Sequence, residues 1–173
     1  MGYTGGTLKD PTYHNLGDHT ESIQVDYDPA KATYDQMLDV IWSCHNPCGS
    51  AWSRQYMSAI FYADEEQKKA VLASKARLEE KLGKPVKTAI LPLGKFDLAE
   101  DYHQKYELRS TADLLKEFKA IFSDEKDFLH STSAARVNGY LAGRGTKEQL
   151  QKEIDLLGLS ADGKKRLQMY VTK

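Results

Sequence analysis

Residues 20–44 read TESIQVDYDPAKATYDQMLDVIWSC, and the hydrophobic period changes once within them. Over residues 22–28 it is two, with Ile23, Val25 and Tyr27 on one side and Ser22, Gln24 and Asp26 on the other. That alternation predicts a half-buried strand, closed by Asp28 and Pro29 as a turn. From Tyr34 onward the period is helical. Tyr34, Met37, Leu38, Ile41 and Trp42 share a face, introduced by Thr33 and Gln36 at capping-box spacing. The helix is expected to end near Cys44, because Pro47 and Gly49 follow.

The same two signals recur on the C-terminal side. Residues 57–63 are apolar and aromatic, which predicts a second strand. Asp64 then caps a long helix with Glu65 and Glu66 in its first turn, where carboxylates favour the helix dipole. Val71, Ser74, Leu78 and Leu82 form its inner stripe, and Gly83 with Pro85 stops it. Residues 86–91 predict a third strand and residues 99–108 a short amphipathic helix. Intermixed strands and helices up to Arg109 predict an α+β domain, with helices packed on a mixed sheet. Beyond it only helices are expected, over 110–122, 131–141, 147–157 and 161–170, with a capping box at Thr146 and Gln149 and a cap at Ser160. The expected organisation is a domain over residues 1–109 and a helical extension over 110–173.

Composition narrows the function classes. Twenty-four basic against twenty-five acidic side chains leave a net charge of −1, and no basic stripe for nucleic acid is visible. No apolar run approaches membrane-spanning length, and the opening residues lack the pattern of a secretory leader. Two cysteines cannot build a disulfide scaffold, so a reducing, cytoplasm-like compartment is the expectation. The opening itself is odd. Gly2-Tyr3-Thr4-Gly5-Gly6 followed by Pro11-Thr12-Tyr13 reads as a turn run from inside a domain, whereas chain ends are ordinarily expendable.

Six stretches in order, GYTGG with PTY, VDYDPAKATY, IWSCHNP, QYMSAIFY, a long helix and AEDYHQKY, resemble the A-type peptide methionine sulfoxide reductases over residues 2–108. The resemblance implies the family's two-layer fold and an enzyme of protein repair that returns the S epimer of methionine sulfoxide, free or in proteins, to methionine. It implies no bound cofactor and no metal, and thioredoxin or another dithiol as reductant. Such chemistry needs a thiolate or selenolate to attack the sulfoxide sulfur, proton donors at its oxygen, and an aromatic wall for its methyl group. Carried over position by position, Tyr13 after Pro11-Thr12 and Tyr56 after Gln55 are the phenols at that oxygen, and Glu21 is the acid.

The departures are equally specific. The family's nucleophile lies in a Gly-Cys-Phe-Trp stretch ahead of the Gly-Tyr-x-Gly-Gly motif, and residues 1–173 hold no counterpart. The expectation is a segment encoded upstream of Met1, lost to a start placed too late or to a selenocysteine codon read as a stop. The loop over residues 48–54 is short and lacks the family's aspartate, and Met57 stands where an arginine is usual. A non-catalytic relative that binds oxidised methionine or a protein partner is the alternative.

Cys44 and Cys48 flank His45 and Pro47. They read either as two small buried thiols at a helix end or as including the one thiol that resolves a sulfenic acid formed elsewhere, with Cys48 the better candidate; a bridge between them and a metal site are weaker readings. Arg136 and Asn138, within STSAARVNGYLAG at 131–143, read either as part of a plain helix and turn or as a cover for the pocket.

Overall fold

The computed structural model describes residues 1–171 and divides into two compact units, Met1–Glu100 and Asp101–Lys173. The first is an α+β unit; the second is helical.

In the first unit the opening residues are a strand. β1 (Gly2–Thr4) lies between β2 (Thr20–Ser22) and β5 (Asp97–Leu98), antiparallel to both, so the expected turn run is the centre of a three-stranded sheet. Three residues with one glycine carry no periodic signal, and only pairing on both edges makes them a strand. Tyr3 is buried, with its hydroxyl donated to Glu100 Oε2 at 2.6 Å, and packs with Leu16 and Ala99.

A βαβ unit follows. β3 (Ala59–Tyr62) and β4 (Ala89–Pro92) pair in parallel, joined through α2 (Glu65–Leu82). Asp64 caps α2 by accepting from the Gln67 N–H at 2.8 Å, and Gly83 ends it in the left-handed region. α1 (Tyr34–Cys44) carries the expected capping box at Thr33 and Gln36. Its Leu38 and Trp42 enclose a core with Ile60, Val71 and Val86, and the Trp42 indole N–H donates to the buried Ser74 hydroxyl at 2.7 Å. Ser74, a polar residue on the inner stripe of α2, is there because the indole needs an acceptor.

Two expectations fail here for the same reason. The strand predicted over 22–28 ends at Ser22, and Ile23 and Val25 stand exposed, at 69% and 51% of their surface. Alternation describes a face that can be covered, but a strand also needs a neighbour for its N–H and C=O groups, and β1 reaches no further than Ser22. The third strand begins at Ala89 rather than at 86, because the N–H groups of Lys87 and Thr88 are committed to the Pro47 carbonyl, at 2.7 and 3.3 Å.

The second unit opens with a 3-10 turn (Asp101–His103) and α3 (Tyr106–Arg109), not with one helix over 99–108. Lys105 at φ 52 interrupts them. α4 (Ala112–Ile121), α5 (Glu125–His130), α6 (Thr132–Leu141), α7 (Lys147–Glu153) and α8 (Ala161–Val171) follow; α5 was not anticipated. Asp124 caps α5 and Ser131 caps α6, so two helices meet across one residue. Leu108, Leu114, Phe118, Phe128, Val137 and Leu167 are among its fully buried core. Glu125 receives Arg109 and Lys119, whose cations also lie 5.1 and 4.6 Å from the Phe128 ring centre. Partial burial acts to raise the Glu125 pKa, but those two cations outweigh it and hold the carboxyl low. Arg136 and Asn138 are engaged inside this unit, Arg136 with Glu153 and Asn138 by accepting from the Leu108 N–H at 3.2 Å.

Gly5, just beyond β1, has φ +79, and a Cβ there would meet the Phe61 ring at 2.7 Å. Gly5→Ala is therefore expected to destabilise the chain by about 1–3 kcal/mol, read as a lowered denaturant midpoint.

Candidate active site

The candidate site is assembled by hydrogen-bonded clips to the backbone of the segments that carry it. Glu21 in β2 donates its N–H to the Gln55 carbonyl at 3.0 Å, and the Thr20 hydroxyl donates to the Arg54 carbonyl at 3.1 Å. The Arg54 guanidinium reaches back, donating from Nη2 to the Gly5 carbonyl at 2.8 Å and from Nε to the Asp18 carbonyl at 3.1 Å. Residues 54–55 are thus fastened to β2 and to the turn after β1. Tyr13 is placed independently, its N–H donated to Glu100 Oε1 at 3.1 Å beside a tight turn in which Thr12 and Asn15 exchange backbone hydrogen bonds. The loop that carries Tyr13 is closed at its base by Asp18, which accepts from the N–H groups of Thr7 and Leu8 at 2.7 and 3.2 Å. Those two bonds and the Thr7 hydroxyl hold the Asp18 carboxyl down at about 2.

On this frame the three residues singled out in the sequence form one cluster. The hydroxyls of Tyr13 and Tyr56 lie 3.1 Å apart. The Gln55 side-chain amide donates to Tyr56 Oη at 3.1 Å and to Glu21 Oε1 at 3.0 Å. Gln55 was legible only as half of the Gln-Tyr pair; that its amide joins the carboxyl to the phenols appears only once β2 and residues 54–55 are side by side. Tyr13 hydrogen-bonds Tyr56, the phenol loses some solvent, and the Glu21 carboxylate repels the phenolate. Together they push the Tyr56 hydroxyl up to about 12, so Tyr56 presents an O–H at neutral pH. Two phenols and a carboxyl on one amide-linked network can solvate and protonate an acceptor oxygen that enters among them.

A family model described as peptide methionine sulfoxide reductase matches residues 1–135. The chain belongs to that family. The "Peptide methionine sulfoxide reductase" of Drosophila melanogaster is 39% identical over 162 residues, covering 92% of this chain and 65% of the fly protein. "Peptide methionine sulfoxide reductase A5" of Arabidopsis thaliana is 40% identical over 162 residues, covering 89% of this chain and 62% of the plant protein. "Peptide methionine sulfoxide reductase MsrA" of Methanococcoides burtonii is 44% identical over 117 residues, covering 61% of this chain and 76% of the archaeal one. The chain therefore spans less than two thirds of the fly and plant relatives. The family match runs past Arg109 and takes in the helices of the second unit as far as α6.

Cys44, the last residue of α1, is exposed rather than buried, and Cys48 is half-buried in a turn where its N–H donates to Asn46 Oδ1 at 3.2 Å. Both are free, so no bridge joins them. His45 between them is a structural group: Nδ1 bonds the Ile41 carbonyl and Nε2 the Thr88 hydroxyl, each at 2.8 Å. Among the described residues no group of three or more His, Cys, Asp or Glu is gathered as a metal site.

Two outcomes follow from the electrostatics. The low Asp18 pKa belongs to the folded chain, so its stabilisation is whole above the ordinary value of 3.8 and is lost as pH falls toward about 2. Asp18→Asn should flatten the denaturant midpoint against pH across that window. Because the Tyr13 bond is the first cause of the raised Tyr56 pKa, Tyr13→Phe should bring Tyr56 back toward 10. Phenolate absorbance of the Tyr13→Phe chain, with and without Tyr56→Phe, isolates that step.

Proposed function

We propose that this chain supplies the proton-delivery half of a peptide-methionine (S)-S-oxide reductase, acting on methionine sulfoxide free or in proteins. The observation that carries the reading is the Tyr13–Tyr56–Gln55–Glu21 network, built in a chain of this family from separate segments of one unit. The sulfoxide oxygen would sit among the Tyr13 and Tyr56 hydroxyls, with Glu21 as the acid that replaces the protons spent there. A thiolate or selenolate attacks the sulfur. The S–O bond breaks as its oxygen is protonated and leaves as water. A water then adds to the attacking atom, the bond from that atom to the methionine sulfur breaks, methionine leaves, and the attacking group ends as a sulfenic or selenenic acid. A second thiol condenses with it, releasing water; overall one sulfoxide and two thiols give one sulfide, one disulfide and water. Cys48, with Cys44 behind it, is the resolving thiol of this reading, and a thioredoxin-like dithiol in the cytoplasm restores the reduced form. The family's two-layer arrangement, and a division into a domain over 1–109 and a helical extension over 110–173, belong to the same proposal.

The attacking group is proposed to lie outside residues 1–173, since the Gly-Cys-Phe-Trp stretch has no match in them. That lack is also what favours a second reading, a domain that binds oxidised methionine without reducing it. Assay with dithiothreitol and an S-sulfoxide, for the chain alone and for the chain with any in-frame sequence ahead of Met1, separates the two. Turnover by the chain alone would assign the attack to Cys44 or Cys48, and Cys44→Ser and Cys48→Ser would say which. In the active form, Glu21→Gln and Tyr56→Phe should each lower turnover by about 10²-fold or more. Unchanged turnover in both would sink the proton-delivery scheme.

A further inference from the structure

Trp52 is the most exposed large apolar side chain in the molecule, with 81% of its surface open, yet its indole is stacked on the Tyr56 ring. The two ring centres are 4.9 Å apart and the planes 26° from parallel. Tyr56 in turn is held by Tyr13, by the Gln55 amide and through its own N–H to the Ser53 hydroxyl at 3.3 Å. The indole is therefore positioned against the ring of the phenol whose hydroxyl meets that of Tyr13. Its neighbours Ser50, Ala51 and Ser53 are small, so one aromatic face is covered by Tyr56 and the rest is left to solvent. A lone exposed leucine would need no account, but a large aromatic both fixed and open beside a polar cluster is the arrangement of a binding wall.

We infer that Trp52 is the substrate-binding wall of this site, taking the alkyl and sulfur side of a dialkyl sulfoxide whose oxygen bonds the Tyr13 and Tyr56 hydroxyls. The chemistry of the ligand divides in the same way as the site. A sulfoxide has a strong acceptor oxygen, a sulfur bearing partial positive charge, and alkyl groups polarised by that sulfur. Hydroxyl donors suit the first, and the electron-rich face of an indole suits the other two. This rests on the proposal that Tyr13 and Tyr56 receive a sulfoxide, and extends it to the group that selects what the oxygen is attached to.

The test is binding rather than turnover, so it does not depend on which group attacks. Calorimetric titration of the chain with N-acetylmethionine sulfoxide methylamide is compared for the unsubstituted chain, Trp52→Ala, Trp52→Phe and Tyr56→Phe. Trp52→Ala is expected to weaken binding about five- to tenfold, while Trp52→Phe keeps a ring in place and stays within about twofold. In the unsubstituted chain the ligand should shield Trp52 from collisional quenching by caesium, with the buried Trp42 as the unquenched internal reference. Shielding by the sulfoxide decides the matter should Trp52→Ala fail to fold. Weaker binding in Tyr56→Phe with none in Trp52→Ala, and no shielding, overturns the inference and leaves the phenol site standing. Absence of binding by the unsubstituted chain overturns both.

Discussion

Arg54 and Gln55 are the fastening on which the candidate site depends. The Glu21 N–H and the Thr20 hydroxyl, donated to their carbonyls, lay them along β2, and the Arg54 side chain ties them to the turn after β1 and to Asp18 at the base of the Tyr13 loop. The guanidinium suits this task because its donors diverge from a rigid plane, so one side chain can serve two carbonyls at once. Without that clip Glu21 and Tyr56, far apart in the chain, would have no fixed relation. With it, the Gln55 amide is delivered between them at hydrogen-bond distance from each.

A second fastening works from the other side of the sheet. Glu100 accepts the Tyr3 hydroxyl with one oxygen and the Tyr13 N–H with the other, linking the central strand to the loop that carries the first phenol. The carboxylate thus serves architecture. Glu21, of the same residue type, instead faces an amide that also holds a phenol. Two identical carboxyls differ in task because their surroundings offer them different donors.

Much of the local structure was legible because its causes are local. The capping boxes at Thr33 and Thr146, the Asp64 cap and the Gly83 stop each depend on residues a few positions apart, and each is present. The stripe on α1 was also readable, since a helix satisfies its own backbone and leaves only one face to be covered. Residues 22–28 have an equally clean pattern, yet they do not extend β2, because a strand needs a partner that its own sequence cannot name. Lys105 shows the converse: apolar spacing over 99–108 suggested one helix, and a single left-handed residue splits it.

The sequence by itself determined the class of structure, the caps of α1, α2 and α7 and, through six ordered motifs, membership of the peptide methionine sulfoxide reductase family. It also singled out Tyr13, Glu21 and Tyr56. Only the tertiary structure decided that GYT is the middle strand of a sheet, that Gln55 joins the carboxyl to the phenols, and that Trp52 stands over Tyr56. The division has one physical cause. Caps and amphipathic faces follow from bonds within a few residues, whereas strand pairing and side-chain networks between distant segments exist only once the chain has closed on itself.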